Sequence, residues 1–253
     1  MRPISLVTGG AGFIGSHLVD LLLSENHVVR VIDNLSGGHE KNIIHHKKNK
    51  DFSFENIDIN DLNNNNSIFK NVNYCFHLAG IGDIVPSIEK PVEYLETNVQ
   101  GTIKILEAAR NFKVKKFVYA ASSSCYGLAK TPTAEDHIIN PEYPYALSKY
   151  IGEQTAFHWN KVYGIPVNSI CIFNAYGTRV RTTGVYGAVF GVFLKQKLEQ
   201  KPFTVVGDGS QSRDFVYVTD VASAFLKAAT SNISGERFNV GGGNPRTIKE
   251  LIK

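Results

Sequence analysis

A glycine-rich turn set between a short apolar strand and an amphipathic helix constrains this chain more than any other feature. Ile4-Ser5-Leu6-Val7 reads as the strand and Thr8-Gly9-Gly10-Ala11-Gly12-Phe13-Ile14-Gly15 as the turn. The helix then runs from Phe13 to Ser24, with Phe13, Ile14, His17, Leu18, Leu21 and Leu22 at helical spacing. Glycines at 9, 12 and 15 let the backbone turn sharply and approach a pyrophosphate closely. The helix N-terminus adds unpaired N–H groups and about half a positive charge. A second strand, Val28 to Ile32, leads into Asp33 and Asn34, and Asp33 stands 18 residues after Gly15. A carboxylate there accepts hydrogen bonds from ribose hydroxyls and repels a 2′-phosphate. The site is therefore expected to take NAD rather than NADP.

The rest of the chain keeps the same rhythm. Further strands are predicted at Phe52–Ile57, Tyr74–Leu78, Lys116–Ala120 and Val167–Phe173. Long helices are predicted from Pro86 to about Asn111 and from Tyr145 to Tyr163, and Asn63-Asn64-Asn65-Asn66 reads as a loop or frayed helix end. Strands alternating with helices imply a doubly wound α/β fold, a parallel sheet covered on both faces with ligands at its carboxyl edge. After Asn174 the pattern loosens into a glycine-rich stretch and a helix from about Gly187 to Gln200. Short strands near Phe203–Val206 and Phe215–Val218, a helix from Val221 to Ala229 and a strand near Phe238–Val240 follow. We read residues 1–174 as a dinucleotide-binding domain and 175–253 as a smaller, interleaved α/β annex for substrate. The chain ends inside a helical pattern, so the annex is read as partial.

Composition enters only to exclude. The 253 residues are 43% hydrophobic and 20% charged, as in an ordinary globular protein, and no disulfide or metal staple is required. No metal site is expected. Cys75 and Cys171 lie in apolar runs, none of the three cysteines shows CxxC spacing, and a reducing, cytoplasmic setting is expected. No secretory leader and no membrane span are read. The net charge of +4 is mild. The basic run His45-His46-Lys47-Lys48-Asn49-Lys50 reads as a solvated loop rather than a nucleic-acid patch.

Four segments carry candidate chemistry. Asp58-Ile59 follows the third strand, where it either meets adenine or caps a helix. His77-Leu78-Ala79-Gly80 ends the fourth strand: Leu78, Ala79 and Gly80 allow a flat ligand to approach, and His77 reads as a satisfied core histidine. Ser122, Ser123 and Ser124 follow the fifth strand, placing hydroxyls where the redox ring should lie. Tyr145 and Lys149 are four apart on a helix and share one face. A free phenol ionises near pH 10, and bringing it to neutrality takes about 4 kcal/mol of differential interaction. A lysine ammonium and an oxidised nicotinamide are the two cations expected to supply that. Cys125 has no identifiable histidine partner and is not read as a nucleophile.

Taken in order, these motifs resemble the extended short-chain dehydrogenases/reductases, and within them the NAD-dependent epimerase/dehydratase group. The resemblance spans essentially the whole chain. It rests on TGGAGFIG at 8–15, Asp33, Asp58, HLAG at 77–80, Thr97-Asn98-Val99, SSSCYG at 122–127, YALSK at 145–149, FNAYG at 173–177 and Arg213-Asp214-Phe215. It implies that Ser122 is the triad hydroxyl, Tyr145 the acid/base, and Lys149 the group that holds the cofactor ribose and tunes Tyr145. It implies that Asn98 lies by the cofactor and that Asn174 and Arg213 grip a nucleoside diphosphate. Ser123, Ser124 and Val189, near the start of the helix after the glycine-rich stretch, are carried as substrate-side candidates. The resemblance further implies a homodimer packed through helices at about Pro91–Arg110 and Tyr145–Tyr163, and a C-terminal extension that completes the nucleotide pocket.

Dehydratases of this group carry Thr-Asp-Glu where this chain has Ser122-Ser123-Ser124. Eliminating a hydroxyl needs an acid and a base that three serines do not provide. The expected reaction is therefore 4-epimerisation of a UDP-sugar through a 4-keto intermediate. A dehydratase, reductase or decarboxylase on the same scaffold is the alternative, and a non-catalytic dinucleotide sensor the alternative of another class. UDP-glucose 4-epimerases often carry Lys where Gly82 stands, so N-acetylated and uronic sugars compete with glucose.

Overall fold

The chain opens with β1 (Ile4–Thr8), α1 (Phe13–Ser24), β2 (Val28–Asp33), β3 (Phe52–Asn56) and β4 (Tyr74–His77). Next come α2 (Ile84–Glu89), α3 (Pro91–Leu95), a π-helical turn at Glu96–Gln100, α4 (Gly101–Asn111), β5 (Lys116–Ser122), α5 (Pro144–Tyr163) and β6 (Val167–Ile172). The last third holds β7 (Asn174–Tyr176), α6 (Val189–Leu198), β8 (Ser212–Arg213), β9 (Phe215–Tyr217), α7 (Val218–Thr230), β10 (Glu236–Val240), β11 (Arg246–Thr247) and α8 (Ile248–Ile252). The computed structural model describes residues 2–63, 65–180 and 189–253.

Among the described residues seven strands form one sheet in the order β10-β6-β5-β4-β1-β2-β3, every pair parallel. The order reverses between β1 and β4, so the chain leaves a crevice at the carboxyl edge there, as in doubly wound dinucleotide-binding sheets. Alternation along each strand feeds two cores. Leu6, Phe117 and Tyr119 face one side with Ile105 and Leu106 of α4 and Ala156 of α5. Val7, Val118 and Ile170 face the other with Leu18, Val19 and Leu22 of α1 and Val221 and Phe225 of α7. Burying each such side chain contributes about 1.5–3 kcal/mol.

Two expectations are corrected. The long helix after Pro86 is broken at Lys90 (φ −131°, ψ 55°), because Pro91 disfavours helical geometry in the residue before it. A strand near Phe203–Val206 does not form. Instead Phe203 packs on Phe193, and the Gln196 side chain takes the Thr204 N–H at 3.1 Å and donates to Thr204 Oγ1 at 2.8 Å. The segment after residue 174 interleaves with the main sheet: β10 pairs with β6, and α7 packs on α1. The expected helix start at Gly187, part of the glycine-rich stretch and Asn64 lie outside the described residues.

A buried ion pair ties this late strand to α5. Glu153, 1% exposed, takes Arg237 of β10 through Nε at 3.0 Å and through Nη2, and accepts from Ser169 Oγ of β6 at 2.6 Å. Removing one partner strands a desolvated charge. Glu153→Ala is expected to lower unfolding free energy by about 3–5 kcal/mol, read as a lower urea midpoint. An unchanged midpoint would show the pair to be dispensable.

Candidate active site

The glycine turn is built by close approach. Gly9 has φ +70°, and a Cβ on it would stand 2.7 Å from the Ala79 nitrogen. A Cβ on Gly15 would stand 2.2 Å from the Gly9 carbonyl oxygen. Only hydrogen fits at either place. The turn therefore seats against the segment after β4, and Gly12 caps α1 with no side-chain acceptor on the first-turn N–H groups. Those donors point an uncompensated positive end at the cleft, the arrangement that suits a pyrophosphate.

The cleft runs along the carboxyl edge with a volume of about 320 Å³, within the range of ligand pockets. Gly9, Gly12, Phe13, Ile14 and Gly15 line one end with Asp33 and Asn34. Asp58 and Ile59 stand beside them, followed by Leu78, Ala79 and Gly80, and Tyr145 and Lys149 line the far end. Asp33 accepts from the Ala11 N–H (2.9 Å) and the Leu35 N–H (2.8 Å), which fixes its carboxylate at the rim. Burial raises its pKa, and these two bonds oppose that. Asp58 fills both roles left open by its sequence: it lines the cleft, caps the turn at Ile59–Asp61 through the Asn60 N–H (2.8 Å), and accepts from Asn34 Nδ2 (2.7 Å). The reading of sequence missed Ser36, Gly37 and Gly38, together with Thr97, Ala120, Ala121 and Ile172. The small-residue run Ser36-Gly37-Gly38, one residue beyond Asn34, was the available signal for the first group.

His77 is a satisfied core histidine. Its Nδ1 meets Thr8 Oγ1 at 2.7 Å and its Nε2 meets Thr102 Oγ1 at 2.9 Å, and burial pulls its pKa to about 3. Cys125 is buried and its thiol is pushed up to about 11 by desolvation, which removes it as a nucleophile. Asn98 does not line the cleft. Held inward by the π-helical turn, its amide accepts from the Ile81 N–H (2.8 Å) and donates to the Ile81 carbonyl (3.0 Å) and Ser148 Oγ (2.9 Å). It braces the loop after β4 against the helix that carries Tyr145 and Lys149, a positioning role rather than the cofactor contact expected.

Tyr145 and Lys149 line the same cleft. Burial pushes the Tyr145 phenol up to about 12, and the neighbour that opposes this is the Ser122 hydroxyl. Burial also pulls Lys149 down to about 8, and its Nζ rests 4.5 Å over the Tyr119 ring. Desolvation disfavours the charged form of both groups.

The substrate-side candidates are spread further. Ser122 Oγ lies 2.8 Å from Ser124 Oγ, and Ser122 caps the short turn that holds Ser123 and Ser124. Burial raises the Tyr143 phenol, while the Arg213 charge and the Ser124 hydroxyl favour its ionised form. This polar series leads from Tyr145 outward to Arg213. Arg213 is exposed and, among the described residues, donates to the Ser212 carbonyl (2.8 Å) and forms no ion pair. Asp214 instead holds the N–H groups of Gly242 and Gly243 at 3.0 and 3.1 Å. Asn174 spends its amide N–H on the Asp214 carbonyl (3.1 Å), and Val189 begins α6 without lining the cleft.

Comparison with known proteins follows from this geometry. A model of the NAD dependent epimerase/dehydratase family matches residues 5–241. A relative from Methanocaldococcus jannaschii described as a putative UDP-glucose 4-epimerase is 42% identical over 98% of this chain and 79% of its own length. The structure of UDP-N-acetylglucosamine 4-epimerase from Methanobrevibacter ruminantium, in complex with UDP-N-acetylmuramic acid, superposes with a TM-score of 0.94. It is 33% identical, over 99% of this chain and 80% of that one. UDP-glucuronic acid 4-epimerase from Bacillus cereus, solved with UDP-glucuronic acid and NAD, gives a TM-score of 0.91 at 34% identity, over 98% of this chain and 81% of that one. A match that runs from the first strand of the sheet to its last leaves one assignment, and the chain belongs to the NAD-dependent epimerase/dehydratase family.

Proposed function

We propose that this protein is a 4-epimerase of a UDP-sugar. One observation carries the reading: a single cleft joins the glycine turn to Tyr145 and Lys149, with hydroxyls rather than carboxylates at 122–124. The first-turn N–H groups of α1 suit the dinucleotide pyrophosphate, and Asp33 its ribose hydroxyls. Bound there, NAD supplies a two-electron acceptor that removes the C4 hydrogen of the sugar as hydride and later returns it.

The residues of the chain handle the proton. Tyr145 as phenolate removes the proton of the 4-hydroxyl while the C4–O bond becomes a carbonyl. Ser122 donates a hydrogen bond to the same oxygen and steadies the charge there. Lys149 as ammonium holds the cofactor ribose and favours phenolate. The ketone then presents its other face, and Tyr145 returns the proton as the C4–H bond reforms. Such a turnover needs a firm hold on the diphosphate and freedom around the sugar. Arg213, with its guanidinium unspent on any carboxylate among the described residues, and Asn174 supply the hold. Gly82 supplies room, since a Cβ there would meet nothing within 4 Å. An N-acetylated or uronic sugar competes with plain glucose for this space.

We also propose a homodimer through α3, α4 and α5. Val92, Leu95, Leu147 and Val162 present apolar side chains that are 64%, 36%, 42% and 53% exposed. Among the described residues no helix is long and apolar enough to cross a membrane. The three cysteines are free, which supports a reducing, cytoplasmic setting.

Incubation with a panel of UDP-, GDP- and CDP-sugars, with products resolved by NMR, is expected to show inverted C4 configuration on a UDP-sugar without loss of water. A 4-keto-6-deoxy product would replace this reading with dehydration. Tyr145→Phe is expected to keep NAD affinity and to cut turnover by about a hundredfold or more. Near-normal turnover in that variant would take the proton chemistry away from Tyr145.

A further inference from the structure

The two histidines of the basic run both turn toward α1, His46 half-buried and His45 still exposed. Nε2 of His45 lies 3.0 Å, and Nε2 of His46 2.6 Å, from the same oxygen, Oδ1 of Asp20 on α1. The two imidazole rings are 4.0 Å apart between centroids, and the three donor atoms all lie within 4.8 Å of one another. Arg179 takes the other carboxylate oxygen, Oδ2, at 2.8 Å. Burial works against charge on Asp20, but His46, His45 and Arg179 hold its carboxyl below the ordinary range.

For two neutral imidazoles to serve one acceptor, both must carry their proton on Nε2. A single dication satisfies the same three atoms with neither proton. Two imidazole nitrogens and one carboxylate oxygen suit a borderline-soft divalent ion, with water completing a tetrahedron. Magnesium, which prefers an all-oxygen octahedron, does not fit this set. The guanidinium on Oδ2 orients the carboxylate as an outer-shell partner. It also subtracts charge from the site, so affinity is set at a moderate level.

We propose that Asp20, His45 and His46 form a binding site for a zinc-class divalent metal ion. None of the three lines the cleft, so the ion takes no part in the sugar chemistry. Its effect is mechanical. The backbone N–H of His39 and the side chain of Asn42 both donate to the Ala11 carbonyl inside the glycine turn, at 3.0 and 2.9 Å. Fastening the following His45-His46 turn to α1 braces that support from outside.

Calorimetric titration of tag-free protein with zinc chloride tests this. One site per chain is expected, with affinity reduced at least about tenfold in His45→Ala/His46→Ala and in Asp20→Asn. Zinc should raise the melting temperature of the wild type by mass action and leave the double variant unmoved, and magnesium chloride should move neither. Far-UV circular dichroism checks the fold of each variant. If the double variant does not fold, His45→Ala alone, at a largely exposed position, is read the same way. No zinc binding to the wild type, equal binding by wild type and folded variants, or equal effects of zinc and magnesium would overturn the proposal.

Discussion

The approach of the first glycine turn to the end of β4 is the constraint on which the rest of this structure depends. Gly9 and Gly15 leave no space for a methyl group, and that absence sets how closely α1 sits over the crevice between β1 and β4. The positive end of α1 then faces a cavity rather than a side chain. Asp33, fixed by the Ala11 and Leu35 N–H groups, closes one end of that cavity. At the other end, Asn98 ties the loop after β4 to α5 and so places the Tyr145 helix relative to the turn.

Desolvation governs the chemistry as much as charge does. The site holds a phenol near 12 and an ammonium near 8, each driven toward its neutral form by burial. Such a pair is poor at proton abstraction by itself. A second positive charge alongside, such as the oxidised ring of the dinucleotide carries, changes the balance: at short range in a partly dry cleft it favours the phenolate. The base is then strong only when the acceptor is in place. The proposed chemistry thus couples proton removal to oxidation.

Much of this was legible in the sequence, and the reason differs by region. β1, α1 and β2 follow from strong apolar periodicity and from glycines with one physical use, and they appear within a residue of expectation. His77 was readable because an apolar run leaves a histidine no solvent. The π-helical turn around Asn98 was not readable, because local propensity says helix and only the contacts of Asn98 with Ile81 and Ser148 explain the wider turn. β10 also escaped assignment to the main sheet. Its place beside β6 is set by the parallel ladder from Glu236↔Asn168 to Val240↔Ile172, and Arg237 ties it to Glu153 of α5 across 84 positions, contacts that no local window contains. Phe203–Val206 has strand-like composition but spends its polar groups on Gln196.

The proposed chemistry requires that the dinucleotide acidify Tyr145. Phenolate absorbance titrated against pH, taken as the difference between wild type and Tyr145→Phe, measures this directly. Without cofactor the difference should titrate near 12, and saturating NAD should draw it several pH units toward neutrality. A titration that stays near its cofactor-free position with NAD bound would contradict the coupling, and the proton chemistry would need another base.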